Sequence, residues 1–150
     1  MSRIQMIEAI ILAAGQGTRM KSKKAKVLHH LGGKTLLQHA VDAIQPLSTS
    51  INIVIGNESK AIKNSINKDS INWILQKKQL GTGHAVQQAT SIINDEATCV
   101  ILYGDVPLIT TNTIKSLVDK SEKNGFSLLS ALLNDPNGYG RIIRNKNELI

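Results

Sequence analysis

Apolar runs rich in β-branched residues alternate along this chain with amphipathic stretches of helical spacing. The run ending Ile10-Ile11-Leu12-Ala13-Ala14 predicts a buried strand. Leu36, Leu37, Ala40, Val41 and Ile44 then recur at helical spacing, behind a capping-box pattern Thr35-Leu36-Leu37-Gln38 and ahead of Pro46. Ile51 to Ile55 predicts a second strand, and a polar helix carrying Ile62 and Ile66 follows it. Asn72 to Leu75 predicts a third strand, and Ala85, Val86, Ala89, Ile92 and Ile93 form the apolar face of the next helix. Thr98 to Tyr103 predicts a buried strand, and Thr111 to Asn124 a helix stopped by Gly125. Beyond it the pattern predicts a strand over Phe126 to Leu133, a turn at Pro136-Asn137-Gly138, and a last hairpin turn over Asn145 to Glu148. Strands alternating with helices give an α/β class with a mostly parallel sheet between helical layers.

Composition narrows the picture. At 150 residues the chain has the size of one domain and can bury a real core. Aromatics make up only 3%, so that core is built of Ile, Leu, Val and Ala. The net charge of +7 suggests an anionic partner, but the lysines are scattered and no aromatics interleave with them. Nucleic acid is therefore excluded as a partner, while a polyanionic nucleotide is not. One cysteine, Cys99, builds neither a disulfide framework nor a cysteine metal site. Glu8 interrupts the N-terminal apolar stretch, and no run reaches the ~18 residues that span a bilayer. The expectation is a cytoplasmic protein without membrane insertion.

Candidate chemistry gathers at the ends of predicted strands. Gly15 and Gly17 follow the first strand, with Arg19 and Lys26 close behind. Glycine lets backbone N–H groups approach an anion, and the two cations add full charge. On its own the turn equally serves as a plain strand-to-helix connection. It is not a dinucleotide fingerprint, because Met20 stands where a third glycine belongs. Gly33-Lys34-Thr35 imitates the end of a P-loop, but Leu28 occupies the place of the required glycine. Gln76 ends the third strand and faces a Gly81-Thr82-Gly83 turn. Its amide carries a donor and an acceptor that match the O4 and N3–H edge of uracil. Tyr103-Gly104-Asp105 puts a carboxylate at the end of a parallel strand, on the rim where open α/β sheets bind ligands. The four histidines show no metal-ligand spacing, and His84 is assigned to the start of its helix.

Leu12-Ala13-Ala14-Gly15-Gln16-Gly17-Thr18-Arg19-Met20, followed by Lys26-Val27-Leu28, resembles the signature of sugar-1-phosphate nucleotidyltransferases. Gln76 with Leu80-Gly81-Thr82-Gly83-His84-Ala85, Tyr103-Gly104-Asp105 and Tyr139-Gly140-Arg141 extend the likeness. Together they resemble the bacterial N-acetylglucosamine-1-phosphate uridyltransferases, at the start of the pyrophosphorylase domain. The resemblance implies a Rossmann-like three-layer nucleotidyltransferase fold, incomplete at its C-terminus, and no acetyltransferase β-helix within these residues.

It further implies UTP and N-acetylglucosamine-1-phosphate as substrates and Mg²⁺ as cofactor, in the synthesis of a cell-wall precursor. Arg19 and Lys26 take catalytic roles on phosphate oxygens. Leu12, Ala13, Ala14, Gly15, Lys26, Gln76, Gly81, Thr82, Tyr103, Gly104 and Gly140 bind substrate, and Asp105 holds the metal. The family usually has Pro where Ala25 stands, so a looser backbone before Lys26 is expected. An uncovered sheet edge predicts poor solubility or self-association. Two rival readings stay open: a nucleotidyltransferase making dTDP- or UDP-glucose, and a noncatalytic nucleotide-binding remnant.

Overall fold

The computed structural model describes residues 5–15, 22, 24–56, 59–66 and 70–147. Its frame is β1 (Ile7–Ala13), a 3₁₀ turn (Lys26–Leu28), β2 (His30–Leu31), β3 (Lys34–Thr35), α1 (Leu36–Ile44), β4 (Ser50–Ile55) and α2 (Ser59–Asn64). β5 (Ile71–Leu75), α3 (Thr82–Gln87), a 3₁₀ turn (Thr90–Ile92), β6 (Thr98–Tyr103) and α4 (Thr111–Asn124) complete it.

Four strands form one sheet in the order β5-β4-β1-β6, and every neighbouring pair is parallel. The period-2 alternation of side chains divides β1 between two cores. Ile7, Ala9, Ile11 and Ala13 face a large core shared with α1, Ile62 of α2, and Ile114 and Val118 of α4. Ile10 and Ala14 face a smaller core closed by Val54, Ala85 and Ala89. Helices therefore cover both faces, which is the expected three-layer α/β arrangement. Apolar runs without a polar phase are what a strand buried on two faces requires.

The sheet interior also holds a polar device. Asn52 on β4 is fully buried; its Nδ2 donates to the Ala9 carbonyl at 3.0 Å, and its Oδ1 accepts from Asn72 Nδ2 at 2.9 Å. These bonds tie β1, β4 and β5 together at one level and satisfy an amide that would otherwise be costly to bury.

Local signals explain the ends. Thr35 Oγ1 accepts from the Gln38 N–H at 3.1 Å, as the capping pattern requires. Gly125 ends α4 in the left-handed conformation with φ 73°. Gly32 and Gly33 both have positive φ, at 56° and 85°, and join β2 to β3 as a two-residue hairpin. The P-loop look-alike is thus a hairpin strand, and Lys34 pairs with Asp42 at 2.6 Å rather than facing a phosphate.

Two expectations are corrected. The helix beginning at Thr82 stops at Gln87 and resumes as a 3₁₀ turn, because Thr90 Oγ1 donates to the Gln87 carbonyl and competes with the helical ladder. No strand forms over Phe126 to Leu133, which lie outside regular structure with Phe126, Leu128, Leu129 and Leu132 exposed; the hairpin turn expected over Asn145 to Glu148 runs beyond the described residues.

Candidate active site

Strand order fixes where a ligand can sit. From β1 the chain steps outward to β4 and β5, then crosses back over the other face to place β6 on the far side of β1. The order thus reverses between β1 and β6, and open α/β sheets bind ligands beyond the C-terminal ends of their strands at such a point. A cavity of about 500 Å³ occupies this place.

Three stretches line it. The end of β1 contributes Leu12, Ala13, Ala14 and Gly15; the far wall carries Gln76, Gln79, Gly81, Thr82 and Ala85; Lys26, Val27, Tyr103 and Asp105 close the third side. Nearly all the residues expected at the site from sequence meet here. Gly104 is buried just beneath: a Cβ on it would lie 3.2 Å from the Leu12 carbonyl and 3.0 Å from Leu37 Cδ1. Its own N–H donates to that carbonyl at 3.0 Å, so glycine lets β6 turn away from β1 at close range. Gly140 is exposed on the irregular stretch and does not line the cavity. Arg19, with Gly17, Thr18 and Met20, lies outside the described residues.

The charged side of the cavity is one ion pair. Lys26 Nζ stands 2.6 Å from Asp105 Oδ2, with both side chains partly exposed to the cavity. Lys26 is held by the 3₁₀ turn, whose Val27 and Leu28 are buried. Ala25 before it has φ −53° and ψ 139°, a conformation proline would also adopt. The geometry of the usual proline is kept, and the cost of Ala25 falls on the freer unfolded chain.

The opposite wall is built from neutral polar groups. Gln76 is buried at 3% exposure, and its backbone N–H extends the β4–β5 ladder to the Ile55 carbonyl at 2.8 Å. Its side-chain Nε2 reaches the Gly81 carbonyl at 3.2 Å and His84 Nδ1 at 2.9 Å. Gly81 adopts φ 99°, open to glycine and strained for other residues, and this aims its carbonyl back at Gln76.

A further tie across the site carries no sequence signal. Gln79 Nε2 donates to the Ala14 carbonyl at 2.7 Å, across 65 positions of chain. A Cβ on Gly56 would sit 2.7 Å from that same nitrogen, so Gly56 leaves the passage through which Gln79 reaches β1. In a trans peptide the Gly15 N–H points opposite to the Ala14 carbonyl, so this bond sets the direction of a donor in the glycine turn. No motif marks Gln79 or Gly56, because their partnership is purely tertiary.

Among the described residues Asp105 is the one carboxylate lining the cavity, and no cluster of three or more His, Cys, Asp or Glu occurs. That donor set suits a hard divalent cation carried in with phosphate oxygens and water, as Mg²⁺ commonly is, rather than an all-protein cage.

Comparison with known proteins agrees with this architecture. The chain is 51% identical over 143 residues to the bifunctional protein GlmU of Vesicomyosocius okutanii and 45% identical over 145 residues to that of Marinobacter nauticus. These alignments take in 95% and 96% of this chain but 32% of each relative, so the chain spans about a third of their length. Among solved structures, Rv0371c of Mycobacterium tuberculosis, described in complex with manganese, superposes with a TM-score of 0.66 at 19% identity, over 79% of this chain and 61% of that one. A nucleotidyl transferase of Methanothermobacter thermautotroptrophicus superposes at 0.64 with 17% identity, over 76% and 57%. These structural likenesses bear on the fold. The sequence matches the MobA-like NTP transferase domain over residues 9–138, and the chain belongs to that family.

Proposed function

We propose that the cavity carries uridylyl transfer: the phosphate of N-acetylglucosamine-1-phosphate attacks the α-phosphorus of UTP, and pyrophosphate leaves. The observation that carries this reading is the convergence of the β1 end through Gly15, the Gln76–Gly81 wall and the Lys26–Asp105 pair on one cavity at the strand-order reversal. The likeness to GlmU proteins supports the choice of nucleotide and sugar phosphate.

No protein nucleophile is needed, because the attacking phosphate is already anionic. The site must bring two anions together, align them, and stabilise charge gathering on the leaving group. The Leu12–Gly15 backbone holds the nucleotide, Gln76, Gly81 and Thr82 hold the base, and Lys26 offsets phosphate charge. Tyr103 and Gly104 shape the sugar-nucleotide side. Asp105 would hold Mg²⁺, which when bound neutralises triphosphate charge. Arg19 is assigned to the pyrophosphate, and Gly140 to the sugar nucleotide, on the resemblance alone.

Pyrophosphate release from UTP and N-acetylglucosamine-1-phosphate is the test, with dTTP and glucose-1-phosphate as competing substrates. Asp105→Ala is expected to lower turnover by at least roughly a hundredfold, as does loss of other preorganised charge stabilisers. Near-normal turnover would remove Asp105 from the mechanism. The lone carboxylate, already paired with Lys26, favours one second reading, a nucleotide-binding unit without turnover. In that case UTP raises the melting temperature while pyrophosphate release stays at background.

A further inference from the structure

The side-chain amide of Gln76 has two hydrogens, and both are committed. Nε2 lies 3.2 Å from the Gly81 carbonyl and 2.9 Å from His84 Nδ1. A carbonyl only accepts, so the Gly81 contact identifies the nitrogen end of the amide without ambiguity. The remaining polar atom, Oε1, only accepts. Gln76 is therefore not a neutral amide free to read either pattern of donors; it is held in one of its two orientations.

His84 supplies the second hold, and its chemistry makes the hold conditional. Nδ1 accepts only in the neutral ring whose proton sits on Nε2. Both ring nitrogens face an amide nitrogen, Gln76 at 2.9 Å and Gln88 at 3.3 Å, and a neutral ring accepts at only one of them. The shorter contact places acceptance at Nδ1; the Gln88 amide, whose nitrogen also reaches the His84 carbonyl at only 3.3 Å, then turns its oxygen to the Nε2 proton. The start of α3 fixes the imidazole in place. There the Ala85 N–H donates to the Gly81 carbonyl at 3.1 Å, so the helix start, the carbonyl and the histidine form one unit behind Gln76.

We propose that His84 is a positioning residue for base selection: as the Nε2–H tautomer it locks the Gln76 amide so that Oε1 alone is offered to the nucleobase. This rests on the reading of the site as a UTP site. A pyrimidine whose ring N3 carries a hydrogen pairs with that oxygen. Cytosine N3 carries a lone pair and meets Oε1 with repulsion. Loss of the His84 acceptor leaves the amide held by Gly81 alone and lowers the cost of turning it over.

Calorimetric titration with UTP and with CTP, both with magnesium chloride, reads the ratio of the two affinities. The wild type is expected to favour UTP. His84→Leu should cut that preference about fivefold to tenfold, the worth of one hydrogen bond. His84→Asn, which returns an acceptor near the place of Nδ1, should hold the ratio within about twofold of wild type on the same hydrogen-bond reasoning. An unchanged ratio in His84→Leu overturns the proposal and leaves the UTP site standing, whereas a wild type without preference for UTP overturns both. Should His84→Leu fail to fold, imidazole ¹⁵N spectra of the wild type decide: the Nε2–H tautomer supports the lock, and the Nδ1–H tautomer refutes it.

Discussion

β1 and β6 lie side by side in one sheet and could hardly be treated more differently. In β1, Ile7, Ala9, Ile10, Ile11 and Ala13 are all buried, because strands flank it on both edges and helices cover both faces. In β6 only Val100 and Leu102 are buried, both facing the larger core, while Cys99, Ile101 and Tyr103 on the other face are exposed. Beyond β6 the contrast sharpens: Phe126 is 63% exposed and Leu132 fully so. Apolar sequence is abundant in both regions. What separates them is a partner, since a strand stands only where a neighbour takes up its N–H and C=O groups and a second layer takes its side chains.

A pair of identical substitutions tests that contrast most strongly. Leu37, at 0% exposure, packs α1 against the sheet, and Leu37→Ala should cost about 2–5 kcal/mol through lost burial and a residual cavity. Leu132→Ala should change stability by no more than about 0.5 kcal/mol. Urea unfolding measures both, and comparable losses would mean that the segment after α4 is packed as firmly as the body.

The second test probes the polar seam within the body. Asn52→Ala removes the acceptor of Asn72 and the donor to the Ala9 carbonyl, and should cost about 1–3 kcal/mol. Asn72→Ala leaves Asn52 bonded to β1 and lies at an exposed position, so the smaller loss is expected there. Equal losses would show that Asn52 acts through its neighbour on β5 rather than through β1.

The same division marks how far the sequence is legible. β1, α1, β4, β5, β6 and α4 can be read from it because burial on at least one face writes a period into their residues. Phe126 to Leu133 carries enough apolar character to imitate a strand, yet periodicity says nothing about whether an edge is available to pair with. The Gly32-Gly33 dipeptide is itself a hairpin signal, masked by the lysine and threonine that follow it and imitate a phosphate loop. At the site, glycines, Gln76 and Asp105 are visible because each residue type announces its chemistry at a strand end, and Lys26 because its charge follows the glycine turn in the motif. Gln79 and Gly56 are not, since a donor reaching 65 positions back and the glycine that makes way for it leave no local pattern. By sequence His84 belongs to its helix start, and only the placement of Nδ1 against Gln76 gives it a second role.

Cys99 offers the finest probe of the β6 border. It stands in register with Glu8 of β1, and partial burial first, then the Glu8 carboxylate, raise the thiol above its ordinary value. A raised thiol holds less thiolate at pH 8, so iodoacetamide should alkylate Cys99 more slowly than a free cysteine. Glu8→Gln keeps an oxygen that can accept from the Asn94 N–H, now met at 3.2 Å, and removes only the charge. Alkylation should then quicken by about twofold to threefold, because the thiolate fraction rises as its repulsion falls. A Cys99 that reacts as fast as free cysteine, with Glu8→Gln making no difference, would place the sulfur in open solvent beyond reach of β1. The rate also reports on the edge itself. If it falls as protein concentration rises, a second copy is covering β6, the association invited by a strand that carries Ile101 and Tyr103 and whose outer edge has no neighbour among the described residues.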